Sequence, residues 1–200
     1  MAVILTSEMI KGANYTEQVT GVPSSITLAQ IIEESSGNYE GGLSYLAYKG
    51  NNLFGVKSFA NTDQKIYVRN SEGLVAWKKY DSIYDSIVDH ANILQLDRYS
   101  TKYKDAENEM DFALALQEGG YAGSSTTYAN KLMNHINTYN LSQYNLNNSS
   151  ITNDSGIPFT SNVDNNGDLG IIGTIIKYIA IVLIAVIGVV FILKSIGIEL

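Results

Sequence analysis

Residues 28–38 read LAQIIEESSGN, an amphipathic helical pattern that ends on two consecutive glutamates. Leu28 and Ile32 lie one helical turn apart, and the apolar residues between them widen the same face. Gly37 follows the pattern, and glycine is favoured just past a helix end because it adopts left-handed backbone angles without strain. The sequence therefore predicts a helix over about residues 24–36.

The two glutamates at the end of this helix are not equivalent. At about 100° per residue, Glu33 lies about 160° from the centre of the apolar face, which places it in solvent. Glu34 lies about 100° away, at the edge of the buried face. Partial burial and the negative end of the helix dipole both disfavour an anion there, and so raise the pKa. Glu34 is thus a candidate general acid, with an ordinary surface glutamate pair as the alternative.

The chain on either side of this helix indicates a mostly helical α+β domain. Glycine and asparagine in residues 38–57 mark loops, with room for one short helix. In residues 58–80, the alternating segments QKIYVRN and LVAWKKY flank the turn SEG and predict a small β-hairpin. Apolar residues at helical spacing predict three further helices, at 81–97, 105–118 and 125–139.

Composition excludes several classes of function. The 200 residues suit one domain of usual size plus an appendage. The net charge of −7 argues against a nucleic-acid partner. Cysteine is absent, which removes disulfides, thiolate zinc sites and cysteine nucleophiles. His90 and His135 are the only histidines and lack metal-ligand spacing, so the sequence predicts neither a metal site nor a cofactor.

A long apolar run lies near the C-terminus. Residues 169–193 read LGIIGTIIKYIAIVLIAVIGVVFIL, with Lys177 as the only charge. As a helix the run would be roughly 37 Å long, enough to cross a bilayer core of about 30 Å. A single transmembrane helix is predicted over 169–194, with a short tail at 195–200. The Asn- and Ser-rich residues 142–168 are predicted to be a flexible linker.

The first residues do not have the pattern of a secretory signal. Only residues 2–5 are continuously apolar, and Glu8 and Lys11 follow at once. Residues 1–22 are therefore predicted to be an N-terminal segment ahead of the folded domain.

Four segments, in order, carry a family resemblance: LAQIIEESSGN (28–38), NNLFGVK (51–57), WKKYDSIYDSIVDHANIL (77–94) and GGYAGSSTTYANKLMNHINTYNL (119–141). Residues 23–141 resemble the bacterial and phage N-acetylglucosaminidase domains of glycoside hydrolase family 73, the flagellar-cap and autolysin type. The resemblance implies a lysozyme-like fold with a groove between a helical lobe and a β lobe. It also implies hydrolysis of the β-1,4 bond between N-acetylglucosamine and N-acetylmuramic acid in peptidoglycan.

The resemblance assigns the catalytic carboxylates. The family's acid is the glutamate of the pattern AQxxxES, at the end of the helix, and this glutamate here is Glu34, the residue that helix geometry also favours. The family's Thr-x-Glu stretch best matches residues 70–72, so Glu72 is the predicted second carboxylate, although the Thr is absent and the following loop is shorter. Asp63 is the alternative. Activation of water by Glu72 would give inversion, whereas attack by the substrate's own N-acetyl group would give retention.

The resemblance also supplies candidate substrate contacts. The family's Tyr-Ala motif matches Tyr121 and Ala122 after a double glycine, which implies that Tyr121 contacts the reacting sugar. Asn52, Phe54 and Tyr128 are further candidates for substrate binding, because aromatic rings and amides suit sugar faces and hydroxyls. Phe54 and Tyr128 have packing in the core as their alternative role.

Together these observations predict a membrane-anchored peptidoglycan hydrolase. A lytic transglycosylase of similar fold and a non-catalytic glycan-binding protein are the alternatives. A C-terminal anchor without a secretory signal fits a phage protein that degrades the wall locally as the phage enters or leaves its host. Such a protein would lie in the virion or in the host cell envelope, and a cellular envelope or conjugation protein is the other possibility.

Overall fold

The computed structural model describes residues 3–61, 63–70 and 73–146. Within these ranges the chain forms seven α-helices, one two-stranded antiparallel sheet and two short 3-10 segments. The helices are α1 (Ser7–Thr20), α2 (Ser24–Ser35), α3 (Tyr45–Gly50), α4 (Ile83–Leu94), α5 (Asp97–Tyr103), α6 (Glu109–Glu118) and α7 (Tyr128–Tyr139); the strands are β1 (Lys65–Asn70) and β2 (Gly73–Lys78); the 3-10 segments are Glu40–Gly42 and Leu141–Tyr144.

Helix α2 is the central element of the domain. It packs against α1, α6, α7 and the 3-10 segment Leu141–Tyr144. All of its residues except Glu33 and Glu34 are buried, including the polar Ser24 and Gln30. The predicted helix is therefore present, but the expectation that only one face is buried is wrong, because neighbours cover the helix on several sides. Glu34 is the exposed residue of α2, whereas Glu33 is partly covered.

Helix α1 makes the N-terminal residues part of this domain. The Thr6 hydroxyl caps the helix by accepting a hydrogen bond from the Met9 amide at 3.2 Å. Helix α1 packs closely on α4 at Gly12, where an added Cβ would lie 2.6 Å from Cδ1 of Ile87. The expectation that residues 1–22 precede the fold as a separate segment is thus corrected, because this segment contributes core residues.

The predicted hairpin is confirmed. Strands β1 and β2 pair in antiparallel register, with Tyr67 opposite Ala76 and Val68 opposite Val75. The sheet is small and its strand β1 contacts α3. The domain therefore has the mostly helical architecture with a small β lobe that the sequence predicts. Glu72, which lies between the two strands in sequence, is outside the described residues.

Asn52 joins the NNLFGVK loop to this hairpin. It is buried, and its side-chain amide donates to the carbonyls of Val56 at 2.9 Å and Lys78 at 2.8 Å. Its Oδ1 accepts from the Val56 amide at 2.9 Å. The hydrogen-bonding groups of Asn52 are thus engaged with the backbone, which favours a structural role, and substrate binding by Asn52 stays a prediction.

The remaining helices follow the predicted order with one addition. Helix α4 begins with a capping box between Ser82 and Asp85 and ends at Leu94, earlier than predicted. The short helix α5 then follows, and its buried Tyr99 and Tyr103 lie one turn apart. Seven residues are too few to show a periodic pattern in the sequence, so α5 is recognisable only from its packing.

The described ranges end beyond the predicted domain boundary. Asn145 Oδ1 accepts from the Ser25 amide at 2.7 Å, and the Leu146 amide donates to Glu17 at 3.1 Å. The first residues of the predicted linker are therefore attached to the helical core. Among the described residues, no helix combines the length and apolar character needed to cross a bilayer. The predicted transmembrane helix at 169–194 and tail at 195–200 lie outside the described residues.

Candidate active site

Two consecutive carboxylates at the end of α2 meet one face of α7. Tyr128, Lys131 and His135 are spaced along α7 so that their side chains share one face. The Tyr128 hydroxyl donates to Oε1 of Glu34 at 3.0 Å. Lys131 Nζ bonds Oε1 of Glu33 at 2.6 Å, and His135 Nε2 lies 3.0 Å from Oε2 of Glu33. The two adjacent glutamates therefore have different partners on α7: a neutral hydroxyl for Glu34, and a lysine and a histidine for Glu33.

Glu33 is held as an anion. Partial burial by itself raises the pKa of Glu33, but hydrogen bonds and charge from Lys131 and His135 outweigh it and leave the pKa below its usual value. Its side chain is only 22% exposed, so the prediction that Glu33 points into open solvent is wrong. The reason is α7, which covers this side of α2. A carboxylate with these partners is poorly suited to donate a proton.

Glu34 has the opposite properties. Surrounding protein atoms desolvate its carboxyl group and raise the pKa, although the Tyr128 hydrogen bond lowers it. The like charge of Glu33 raises the pKa further, and the charge of Lys131 lowers it. The residue nevertheless remains open to solvent on one side. A carboxyl group that is both accessible and readily protonated is what general-acid catalysis requires.

Tyr128 holds Glu34 in place. The residue is only 2% exposed, and its hydroxyl accepts from Nε2 of Gln30 at 3.2 Å while donating to Glu34. A buried tyrosine usually finds such partners for its polar end. The burial of Tyr128 favours its alternative packing role, and substrate binding by Tyr128 stays a prediction. Its place is beneath the carboxylate.

A row of aromatic rings runs from Tyr128 into the core. The Tyr121 ring stacks on Tyr128 with centroids 5.5 Å apart and meets His90 edge-on at 5.6 Å. The His90 ring in turn stacks on Phe54 at 3.7 Å. Phe54 is 7% exposed and packs in the hydrophobic core. This burial favours the alternative packing role of Phe54, and its contact with substrate stays a prediction.

Tyr121 is the member of this row that reaches the site. It is half-buried, and desolvation together with the nearby charge of Glu34 raises its pKa well above the usual value. Within the part of the chain that the structure describes, its hydroxyl makes no hydrogen bond. The hydroxyl therefore stays protonated at working pH and has both its donor and its acceptor capacity available beside Glu34.

The second carboxylate stays a prediction. Glu72 lies outside the described residues. Asp63, the alternative, accepts a hydrogen bond from the Ser58 hydroxyl at 2.8 Å in the loop before β1. No hydrogen bond between described residues joins Asp63 to Glu34. Among the described carboxylates, the one that acts on Glu34 is Glu33, which is already paired.

A cavity of about 460 Å³ adjoins this cluster on the α7 side. No group of three or more His, Asp or Glu side chains within residues 3–61, 63–70 and 73–146 is arranged to hold a metal ion. The cavity is lined by Glu33, Thr127, Asn130, Lys131, Asn134 and His135.

The sequence analysis did not predict that α7 pairs with the charge of Glu33. The spacing of Tyr128, Lys131 and His135, which places them on one face of a helix, was the sequence feature that could have indicated this role.

A family model and a curated relative both identify the chain as similar to glucosaminidases. Residues 10–141 match the glucosaminidase family model, described as mannosyl-glycoprotein endo-beta-N-acetylglucosaminidase. The exo-glucosaminidase LytG of Bacillus subtilis is 35% identical over 132 residues, which is 60% of this chain and 45% of LytG. The chain thus spans less than half the length of this curated relative.

Solved structures agree with this assignment. A peptidoglycan hydrolase from Sphingomonas sp. A1 is 28% identical with a TM-score of 0.54, covering 74% of this chain and 94% of that one. The catalytic domain of the autolysin Auto from Listeria monocytogenes is 26% identical with a TM-score of 0.52, covering 72% and 90%. The glycoside hydrolase domain of FlgJ from Salmonella typhimurium is 25% identical with a TM-score of 0.53, covering 67% and 85%.

The family match confirms the resemblance inferred from the four sequence segments and extends it toward the N-terminus, into α1. The matched region includes the end of α2, the hairpin and α7, which together contain the candidate site. The chain belongs to the glucosaminidase family of glycoside hydrolases.

Proposed function

We propose that this protein hydrolyses the β-1,4 bond between N-acetylglucosamine and N-acetylmuramic acid in peptidoglycan, with Glu34 as the general acid. The observation that carries the proposal is the Glu34 carboxyl group, which is open to solvent, has a raised pKa and is oriented by Tyr128. The names of the Sphingomonas and Listeria proteins, a peptidoglycan hydrolase and an autolysin, support the substrate class.

In the proposed reaction Glu34 protonates the glycosidic oxygen as the bond to the leaving sugar breaks. The hydroxyl of Tyr121 contacts the reacting sugar or its acetamido group. Glu72 activates a water molecule on the opposite face, which would invert the anomeric centre. Attack by the substrate's own acetamido group is the alternative and would retain the configuration. Proton NMR of the first product anomer distinguishes the two routes.

The position of cleavage along the strand is a separate part of the proposal. We propose internal cleavage, as in the description of the family model, whereas the Bacillus relative is named an exo-glucosaminidase. Digestion of long glycan strands followed by size analysis separates the two. Internal cleavage yields intermediate lengths early, whereas terminal cleavage releases single N-acetylglucosamine residues while the strands remain long.

The test of the acid is the variant Glu34→Gln. We expect a loss of about 10²- to 10⁴-fold in hydrolysis of purified peptidoglycan, because the amide cannot donate the proton. Binding to the same material should be retained. Glu118→Gln, which removes an exposed carboxylate on α6, is the matched control and should keep full activity. Unchanged activity in Glu34→Gln would remove Glu34 from the mechanism.

A lytic transglycosylase is the second candidate, because among the described residues Glu34 is the one site carboxylate outside an ion pair. Such an enzyme uses one acid and leaves a 1,6-anhydro product. Mass spectrometry decides between them, since hydrolysis adds one water to each cleaved bond and transglycosylation adds none.

We further propose that residues 169–194 anchor the enzyme to a bilayer and that wall cleavage serves a phage as it enters or leaves its host. The support is the length and apolar character of this segment together with a wall-degrading domain. Mass spectrometry of purified virions should find the protein there. Its absence from virions, with accumulation in the host envelope late in infection, would restrict the role to release.

A further inference from the structure

The proposed reaction uses Glu34 but leaves its neighbour Glu33 without a role. Glu33 and Lys131 form an ion pair of 2.6 Å, and His135 holds the second oxygen of Glu33 at 3.0 Å. The Glu33 side chain is 22% exposed and that of Lys131 is 54% exposed. The pair thus lies at the surface directly beside the catalytic acid, and both of its charges can act on the reacting group.

The groups that face Glu34 come from three parts of the fold. Glu33 belongs to the same helix, Lys131 and Tyr128 belong to α7, and Tyr121 belongs to the connection before α7. Tyr121 and Tyr128 are neutral at working pH because burial raises the pKa of each far above it. The charges that shift the pKa of Glu34 are therefore the anion of Glu33 and the cation of Lys131, while His135, also on α7, acts on Glu33.

These two charges have opposite effects on the same carboxyl group. The anion of Glu33 repels a negative charge on Glu34, and the cation of Lys131 attracts it. Because the short ion pair keeps the two charges together, their effects on the pKa of Glu34 oppose each other. Among the described residues, removing Lys131 would leave the Glu33 anion with only His135 as its partner, and removing Glu33 would leave the Lys131 cation without its anion.

We propose that Glu33 and Lys131 are a compensating charge pair that sets the protonation of Glu34, and with it the pH range of glycosidic cleavage. The inference rests on the proposed role of Glu34 as general acid. Both are positioning residues, since each acts on the reaction through Glu34. His135 supports the pair by holding Glu33 in the same position when Lys131 is replaced.

The proposal has a signature in which two substitutions act in opposite directions. The alkaline limb of the kcat/KM profile reports the loss of the proton from the general acid in the free enzyme. Lys131→Met removes the cation and leaves the Glu33 anion, still bound by His135, beside Glu34, which raises the pKa of Glu34 and moves this limb to higher pH. Glu33→Gln leaves the Lys131 cation uncompensated, which lowers the pKa of Glu34 and moves the limb to lower pH.

The experiment measures kcat/KM against pH on soluble peptidoglycan fragments with the full chain. The parent, Lys131→Met, Glu33→Gln and the double variant are compared. We expect opposite shifts of the alkaline limb in the single variants and a return close to the parent profile in the double variant. Lys131→Arg, which keeps the charge, should retain the parent profile. Shifts of the same sign, or no shift in either single variant, would overturn the proposal.

Two controls make the result specific. Lys102→Met and Glu118→Gln disrupt an exposed ion pair of 3.9 Å that does not act on Glu34, and neither should move the limb. Thermal unfolding of each variant checks that it folds, and exposed pairs of this kind contribute little to stability. Activity that persists in Glu34→Gln would contradict the proposed function itself. An inactive Glu34→Gln with unmoved limbs in the pair variants would contradict this inference alone.

Discussion

At the scale of single residues, burial and hydrogen-bond partners determine how readily the carboxyl groups of Glu33 and Glu34 are protonated. Adjacent glutamates on one helix have pKa values shifted in opposite directions, down for Glu33 and up for Glu34. The difference comes from burial and from partners: desolvation raises the pKa of Glu34, whereas Lys131 and His135 outweigh the desolvation of Glu33. Two carboxylates with separated pKa values are the usual sign of distinct roles.

Tyr128→Phe tests the neutral donor. The hydroxyl stabilises the Glu34 anion, so its removal should raise the pKa of Glu34 and move the alkaline limb of kcat/KM to higher pH. The variant should also lose about 1 kcal/mol of stability, because Gln30 loses its acceptor. The pH profile and urea unfolding measure the two effects. Tyr139→Phe, at the end of the same helix, is the control and should change neither.

His90 should make stability depend on pH. Burial lowers the pKa of His90 to about 3, whereas an unfolded histidine titrates near pH 6.5. Between these values the unfolded chain binds a proton that the folded protein does not. The free energy of unfolding should therefore fall as the pH drops from 6.5 to about 3, by at most about 1.4 kcal/mol per pH unit.

His90→Phe should reduce that dependence by one proton, and phenylalanine can keep the stacking on Phe54. Urea unfolding at a series of pH values measures the slope. His135→Gln, which removes the other histidine, should leave the His90 contribution in place. An identical slope in parent and His90→Phe would show that His90 takes up its proton in the folded state.

At the scale of elements, α2 and its neighbours determine what reaches the surface. Because α1, α6 and α7 cover α2 on several sides, only its C-terminal end can present a carboxylate to substrate. The loop that follows doubles back at once, with an isolated bridge between Ser36 and Leu43. An added Cβ on Gly37 would lie 2.6 Å from the Leu43 carbonyl oxygen, so this close return requires glycine.

Gly12→Ala tests the packing of α1 on α4. The new methyl would lie 2.6 Å from Ile87 Cδ1 and 3.1 Å from Ile87 Cβ, so the whole isoleucine side chain must move. We expect a loss of about 1–3 kcal/mol in the free energy of unfolding, despite the higher helix propensity of alanine. Lys11→Ala, an exposed position on the same helix, should stay within about 0.5 kcal/mol of the parent.

At the scale of the whole molecule, the described domain is joined in sequence to the predicted linker and the predicted membrane segment. We expect the full chain to float with phospholipid vesicles in a density gradient. Ile184→Lys with Ile187→Lys places two charges in the centre of the apolar run, each costing about 2.5–3.5 kcal/mol for insertion. This double variant should stay at the bottom of the gradient while keeping its activity on soluble fragments. Flotation of the double variant would contradict the predicted anchor.

Local patterns in the sequence were enough for much of the architecture. Periodic spacing predicted the hairpin and helices α2, α4, α6 and α7, because backbone periodicity is a local property. Short motifs carried the family resemblance. The same patterns singled out Glu34 as the candidate acid. They also predicted a membrane segment, since a bilayer span requires only a continuous apolar run.

Packing decided what the local patterns could not. Lys131 and Glu33 are 98 residues apart in sequence, and only the contact of α7 with α2 brings them together. The same contact buries Tyr128 beneath Glu34, while the hairpin turns Asn52 into a structural link. Spacing within one helix determines which residues share a face, but burial and charge pairing depend on elements that are distant in the chain. The sequence therefore singled out the candidate acid, and the tertiary structure decided which groups surround its carboxyl group.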